Sequence, residues 1–264
     1  MTARAHDLRT PRTFLLLGAA GVAFASLPLV GLVIRAPWSR TSEILTAPAA
    51  LAALRLSIEV SLLAAAVDLL LGIPLAWVLV RRPFPGRTVV RGLVVLPLVM
   101  PPVVAGVALL SAFGRGGFLG RWLDSAFGIH VTFTTGAVVI ATAFVSFPLS
   151  VLAVEAGLRS FDRRLEDAAA AVGAPNRYIL RRITFPLLGP QIAAGAVLAW
   201  ARALGEFGAT MMFAGNLQGR TQTLPLAVFQ LAQTDPEGAT VLALALVGVS
   251  LALVVALRRR FLSP

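Results

Sequence analysis

The sequence contains no lysine and no cysteine, and each absence excludes a class of function. Without cysteine the chain can form neither a disulfide nor a thiolate metal site. Without lysine it has no GxxxxGK[ST] loop, so it cannot hold the phosphates of a nucleotide in that way. Its two histidines, His6 and His130, lie far apart in the sequence and indicate no metal centre. Any ATP hydrolysis of this kind must therefore be carried out by a partner chain.

Charged residues are also scarce, at 13% of the chain, whereas 58% of the residues are hydrophobic. Soluble domains rarely have this composition, which is typical of a protein that crosses the membrane several times. The apolar runs predict an all-α polytopic fold with about six transmembrane helices, each able to cross a hydrocarbon core of roughly 30 Å. The predicted spans are 14–34, 54–80, 89–113, 135–157, 191–213 and 239–257.

The formal net charge of +11 is carried by arginines dispersed at the ends of these spans. A nucleic-acid partner is not indicated, because the arginines do not gather on one soluble face. With the N-terminus placed inside, only a minority of the arginines fall on outer segments and their flanks: Arg35, Arg40, Arg55, Arg115, Arg121 and Arg220. Because inner loops carry the excess of positive charge, both termini and the segment 166–190 are predicted to be cytoplasmic.

The segment 166–190 is polar and rich in arginine within an otherwise apolar chain. Glu166 and Asp167 open a run of alanines, 168–171, and acidic residues stabilise the N-terminus of a helix. Gly173 is expected to end this first short helix. Helical spacing places a carboxylate and small residues on one narrow face, which another surface can approach closely: Glu166, Ala169, Ala170 and Gly173.

A second short helix is predicted over 177–183, after the turn-forming sequence Ala174-Pro175-Asn176. Pro186 and Pro190 are expected to end this helix before the next span. An ordinary solvated loop between two spans would explain the local pattern equally well.

Arg202 and Glu206 are four residues apart and share a helix face within the fifth predicted span. Charges inside a span usually face a bundle interior or a wet cavity, and so mark a pathway. Two interpretations stay open. The pair orders its own helix, or Arg202 supplies positive potential to an anion pathway while Glu206 fixes its position. Gly205 and Gly208 permit close packing of a neighbouring helix, and Thr210 can donate a hydroxyl hydrogen bond.

The third predicted span contains Pro97, Pro101 and Pro102. Prolines leave backbone carbonyls without partners, which a membrane tolerates only beside protein or a water-lined cavity. We therefore assign Pro101 and Pro102 to the same predicted pathway. No catalytic residue is predicted, because Glu59 and Asp68 would lie about 13 Å apart along a helix, too far to share a proton.

The segment 166–190 resembles the cytoplasmic "EAA" coupling loop of importer-type ABC transporter permeases. Asp167 departs mildly from the family, where Glu or Ala is common. The resemblance implies a pair of coupling helices that dock into a groove on a separate ATPase subunit. The residues assigned to this coupling are Glu166, Asp167, Ala168, Ala169, Ala170, Gly173, Ala174, Tyr178, Ile183 and Pro186.

Two further stretches, 96–117 and 202–229, resemble the oxyanion branch of these permeases, and most of all its molybdate permeases. The second stretch contains RALGEFGAT, AGN and GRTQTLPLAVF. Sulfate and thiosulfate permeases share the RALGEFG core, so they remain an alternative. The run 219–225 and the short chain favour molybdate or tungstate. From another class, a secondary anion carrier driven by an ion gradient would need no nucleotide-binding partner.

The resemblance implies one permease domain over 1–264, with a tail, first span and outer loop (1–53) and a core (54–257) that includes the coupling loop 159–190. It also implies an assembly in the cytoplasmic membrane of a bacterium or archaeon, surrounded by lipid. Two copies would form the pathway, with two cytoplasmic ATPase subunits and an extracytoplasmic molybdate-binding protein. ATP and magnesium would bind the ATPases, and this chain would need no cofactor. The outer segments 114–133 and 214–237 are expected to touch the binding protein.

Overall fold

The structure is a computed structural model that describes residues 11–261, without the side chains of 253, 254 and 256–261. Residues 1–10, which include His6, and residues 262–264 lie outside the described part of the chain. Every regular element in the described part is helical, which confirms the all-α prediction. The α-helices are α1 Arg12–Arg35, α2 Thr41–Thr46, α3 Pro48–Arg81, α4 Arg87–Val99, α5 Pro102–Phe113, α6 Phe118–Phe127, α7 Thr135–Ser160, α8 Arg164–Ala171, α9 Asn176–Ile179, α10 Phe185–Leu204, α11 Gly208–Phe213, α12 Leu224–Leu231 and α13 Pro236–Phe261.

By length and composition, four described helices can cross a membrane: α1, α3, α7 and the continuous stretch Asn176–Leu204. The pair α5 and α6, bent by 41°, makes a fifth if it is counted as one span. The last predicted span lies within α13, which is apolar over Pro236–Ala252.

Two of the predicted spans differ from the structure because each is divided into two helices. The third is interrupted at Met100 and Pro101, between α4 and α5. Met100 is extended, with ψ 135°, as the ring of a following proline requires. Pro102 then starts α5, where a missing N–H costs nothing. The fifth predicted span is interrupted between Leu204 and Gly208, where α10 ends and α11 begins.

The prediction that Pro186 and Pro190 end a short second helix is wrong. The helix that starts at Asn176 runs on to Leu204 and contains both prolines. A wide π-type turn over Leu180–Thr184 precedes Pro186, and the Phe185 N–H bonds to the Leu180 carbonyl, five residues back. Proline already has a helical φ and each proline removes only one hydrogen bond, so packing of the helix on its neighbours outweighs the loss.

Close contacts between α3, α7 and α10 form the centre of the bundle, and small residues make them possible. A Cβ atom at Gly72 would lie 2.8 Å from the Ser150 hydroxyl oxygen, and one at Gly195 would lie 3.1 Å from the Ala153 methyl. Such residues let membrane helices approach closely, where packing rather than water drives association. By contrast, α1 has no buried residue among those described, and its main packing contact is with α13.

Candidate functional site

The short helix α8 ends where the sequence predicts, at Gly173, which has a positive φ of 84°. The Ala174 N–H donates to the Ala169 carbonyl at 3.1 Å, and the Gly173 N–H donates to the Ala170 carbonyl at 2.9 Å. These bonds form a Schellman C-cap, in which glycine relieves the strain of the left-handed residue. Gly173 is therefore required by its backbone conformation, since a Cβ there would meet nothing within 4 Å.

Glu166 joins α8 to two other helices. Its carboxylate pairs with Arg81 at the end of α3, where Nη1 lies 3.0 Å from Oε2. It also accepts a 2.6 Å hydrogen bond from the buried hydroxyl of Thr184, in the wide turn before α10. The Arg81 guanidinium in turn lies over the rings of Trp77 and Phe161, at 5.0 and 5.5 Å from their centroids. The loop is thus fastened to the bundle through one carboxylate.

The remaining predicted coupling residues fall into a half-buried group and an exposed group. Ala169, Ala174 and Ile183 are half-buried. The exposed predicted residues are Asp167, Ala168, Ala170, Gly173, Tyr178 and Pro186.

Sequence reasoning missed several residues of this loop. Leu165 and Val172 are large apolar side chains that are 48% and 84% exposed beside the alanines. The two partners of Glu166, Arg81 and Thr184, were also missed, because they lie 85 and 18 residues away in the sequence. The signal available in the sequence for Leu165 and Val172 was that they are isolated apolar residues within a polar segment.

The two divided spans meet each other, which brings the predicted pathway residues together. A Cβ at Gly208, at the start of α11, would lie 2.7 Å from the Pro102 Cβ at the start of α5. A Cβ at Gly106 would lie 2.6 Å from Met212 Cβ and 2.9 Å from the Ala209 carbonyl oxygen. The close packing expected at Gly208 is therefore present. Irregular backbone within a membrane span is tolerated only where protein or a water-lined cavity satisfies its hydrogen-bonding groups.

Arg202 and Glu206 form an ion pair across the break between α10 and α11, with Nη1 2.6 Å from Oε2. Arg202 is in the last turn of α10 and 30% exposed, whereas the Glu206 side chain is 1% exposed. Glu206 also accepts the Ala209 N–H at 2.9 Å, so it satisfies a free donor in the first turn of α11. The pair therefore orders the break rather than one continuous helix.

The other predicted pathway residues lie beside this junction. Thr210 is fully buried, and its hydroxyl has no hydrogen-bond partner among the described residues. Pro101 and Pro102 are exposed, as are the neighbouring Val103 and Val104 of α5. One face of the α5–α11 junction is therefore apolar and uncovered in the single chain.

Three further acids, Asp68, Glu155 and Glu59, are each bound to a neighbouring side chain. Asp68, on α3, accepts a hydrogen bond from Ser146 of α7. Glu155 is 5% exposed on its side chain and binds Arg91 of α4, with the Nη2–Oε1 distance 2.8 Å. Glu59 pairs with Arg55 on the surface of its own helix.

The segment between α11 and α13, which the sequence predicts to be an outer one, is held by polar contacts. In the run Gly219–Pro225, Thr221, Gln222 and Thr223 are buried, and the Leu224 N–H donates to Ser57 of α3 at 2.6 Å.

At the start of α13, Asp235 binds Arg40 at 2.9 Å. The pKa of the Asp235 carboxyl is lowered, first by the Gly238 N–H that donates to it and then by Arg40.

Solved structures of ABC importers have the same fold. A bacterial ABC transporter involved in the import of the acidic polysaccharide alginate matches with a TM-score of 0.69, at 17% identity over 94% of this chain and 95% of that chain. An amino acid ABC transporter matches with a TM-score of 0.58, over 82% of this chain and 94% of that chain.

Sequence relatives are more similar. The molybdenum transport system permease protein ModB of Mycobacterium tuberculosis is 46% identical over 91% of this chain and 90% of its own length. ModB of Escherichia coli is 44% identical over 76% of this chain and 88% of its own length. The sulfate transport system permease protein CysT of Escherichia coli is 35% identical over 86% of this chain and 83% of its own length.

The family model described as the binding-protein-dependent transport system inner membrane component matches residues 68–264, from the middle of α3 onward. With the helical bundle, the divided spans and the Glu166 loop, this match shows that the chain is a transporter membrane component and not itself an enzyme. The chain belongs to the family of inner membrane components of binding-protein-dependent transport systems.

Proposed function

We propose that this chain is the permease subunit of an ATP-driven importer of molybdate, with tungstate as the nearest chemical equivalent. The observation that carries the proposal is the 46% identity with a molybdenum permease over 91% of the chain. The sulfate permease is less similar, at 35% over 86% of the chain. The proposal treats residues 1–264 as one permease domain with both termini on the cytoplasmic side.

In the proposed mechanism the loop from Arg159 to Pro190 passes the motion of an ATPase to the pathway. The exposed side of the loop presents small and apolar residues to a groove on the ATPase, among them Ala168, Val172 and Tyr178. Its inner side is tied through Glu166 to α3 and to the helix that leads to Arg202. A displacement of the loop would therefore move α3 and α10 with it.

The proposed pathway lies at the α5–α11 junction, beside Pro102, Glu206 and Thr210. Two copies of the chain would place their uncovered α5–α11 faces on either side of it, with two ATPases inside and a binding protein outside. Because a binding protein selects the anion, the pathway needs only weak contacts with a dianion, and a site that bound it tightly would slow release. Arg202 would supply positive potential there.

The test is uptake of labelled molybdate into vesicles that contain this chain, its ATPase and its binding protein, with sulfate as competitor. Uptake that needs ATP and persists in excess sulfate supports the proposal. Uptake abolished by sulfate would assign the chain to sulfate transport instead. Transport by this chain alone, driven by an ion gradient, would overturn the ATPase coupling.

A further inference from the structure

An open cavity lies where α4 begins and α7 ends, on the side of the molecule that carries the Glu166 loop. It encloses about 640 Å³. We call it the basic cavity, because its polar lining is dominated by four guanidinium groups, those of Arg87, Arg91, Arg159 and Arg163, together with the Thr88 hydroxyl and the ring of Phe161. Arg87, Thr88 and Arg91 lie outside both the predicted pathway and the coupling loop, whereas Arg159, Phe161 and Arg163 belong to the start of the coupling loop 159–190.

The charge of the basic cavity is not neutralised within the described part of the chain. Glu155 is the carboxylate that contacts its arginines, and it binds Arg91 through Nε at 3.2 Å and Nη2 at 2.8 Å. Arg159 lies 3.8 Å from the other oxygen of Glu155. Asp162, between Phe161 and Arg163 in the sequence, accepts the backbone N–H of Arg164 at 3.0 Å and forms no ion pair with these arginines in the part of the chain that the structure describes. Four guanidinium groups thus line the cavity, and Glu155 is the carboxylate paired with them among the described residues.

Arg87 gives a second, independent indication of a missing partner. Its Nε is buried and has no hydrogen-bond partner among the described residues. A buried donor without an acceptor is destabilising, and more so when the group is charged. Arg87 lines the cavity, so an anion there would balance the charge of its guanidinium group. Arg91 lines the same cavity and is held in place by Glu155 and by the nearby Leu79 carbonyl.

The form of the site fits an anion with several oxygens. Guanidinium groups bind phosphate-like groups through paired N–H donors, and Thr88 adds a hydroxyl. The site also lies at the ends of apolar helices, the position where basic pockets between membrane helices bind anionic lipid headgroups. We propose that the basic cavity binds a tetrahedral oxyanion, supplied either by the headgroup of an anionic phospholipid or by a free anion in solution.

The experiment uses the full chain, as wild type and as the variant Arg87→Gln/Arg159→Gln. The variant keeps Arg91, because removing it would leave the buried Glu155 unpaired. The matched control is Arg181→Gln/Arg182→Gln, which removes the same charge from the same side of the molecule at two exposed positions. Size-exclusion chromatography and circular dichroism establish that each protein is folded. If the double variant does not fold, Arg87→Gln alone carries the test.

One arm measures retention of phosphatidylglycerol by native mass spectrometry, after reconstitution in nanodiscs of phosphatidylcholine with increasing phosphatidylglycerol. The other arm measures binding of inorganic phosphate and of molybdate to the detergent-solubilised chain. Loss of each arginine should weaken anion binding about fivefold, so about 25-fold for both, with the control close to wild type. An effect on phosphatidylglycerol alone identifies the headgroup, and an effect on the dissolved anions identifies a soluble ligand. Equal binding by variant and control in both arms, or no anion binding by the wild type, would overturn the proposal.

Discussion

Arg81 and Glu166 are joined at two points, with Nη1 3.0 Å from Oε2 and Nη2 donating to Oε1 at 3.0 Å. The side chains are only 10% and 17% exposed, so solvent screens this pair far less than a surface ion pair. The pair connects the end of α3 to α8, the short helix in the loop that follows α7. The carboxylate that the family resemblance assigns to ATPase coupling is therefore already engaged inside the chain.

From this pair we predict that Glu166→Gln and Arg81→Gln have similar, non-additive effects. Each should destabilise the chain by about 1.5–3 kcal/mol, because each removes charged hydrogen bonds from one contact. A double-mutant cycle by thermal unfolding in detergent measures the coupling, and a coupling energy near zero would contradict a shared role. Thr184→Val should cost less, since it removes only one donor to Glu166.

The second prediction concerns the left-handed turn at Gly173. Gly173→Ala and Gly173→Leu should each cost about 1–2 kcal/mol, because a residue with Cβ is strained at a φ of 84°. We expect ATP-dependent uptake to fall while the protein remains in the membrane. Gly189→Ala is the matched control, since a Cβ at Gly189 in α10 also meets nothing within 4 Å. It should be neutral or stabilising, and an equal loss of uptake in both alanine variants would contradict the prediction.

Local chemistry explains what the sequence could predict. The apolar runs predict the spans, and Gly173 predicts the end of α8, because backbone strain acts on a single residue. The direction in which the Glu166 side chain points could not be predicted, because its partner Arg81 lies on a helix 85 residues earlier in the sequence. Pro186 and Pro190 led to a wrong prediction for the opposite reason. Tertiary packing keeps the helix intact where the local preference of proline would end it. The sequence signals for the two breaks were Pro101 and Gly205, but only the structure shows that the resulting half-helices contact each other.

The third prediction concerns the contact between the half-helices. Gly106→Ala places a Cβ 2.6 Å from Met212 Cβ, and Gly208→Ala places one 2.7 Å from Pro102 Cβ. Overpacking of this kind costs about 1–3 kcal/mol, and we expect it to separate α5 from α11 and reduce uptake. Gly248→Ala in α13 meets nothing within 4 Å and should change neither stability nor uptake. Normal uptake by both crowded variants would contradict a pathway at this junction.

The fourth prediction is a pH dependence at the start of α13. Folding lowers the pKa of Asp235, through the Gly238 N–H and then through Arg40. The resulting stabilisation is complete above the unfolded pKa of about 3.9 and is lost as the pH falls through the lower folded value. Thermal midpoints of the wild type and Asp235→Asn should therefore differ by a constant amount well above the unfolded pKa and converge as the pH falls through the lowered folded pKa. Arg40→Gln should behave in between, because Gly238 still donates. A difference that grows with acidity would refute this assignment.

The fifth prediction separates the two roles open to Arg202. Arg202→Met leaves Glu206, with 1% of its side chain exposed, as an unpaired buried charge, which should cost about 3–5 kcal/mol. The double variant Arg202→Met/Glu206→Gln removes that charge, and the glutamine oxygen can still accept the Ala209 N–H, so most of the stability should return. If Arg202 supplies positive potential to the anion, uptake stays low in the double variant although the protein is stable. Recovery of uptake together with stability would instead show that the pair only orders the break between α10 and α11.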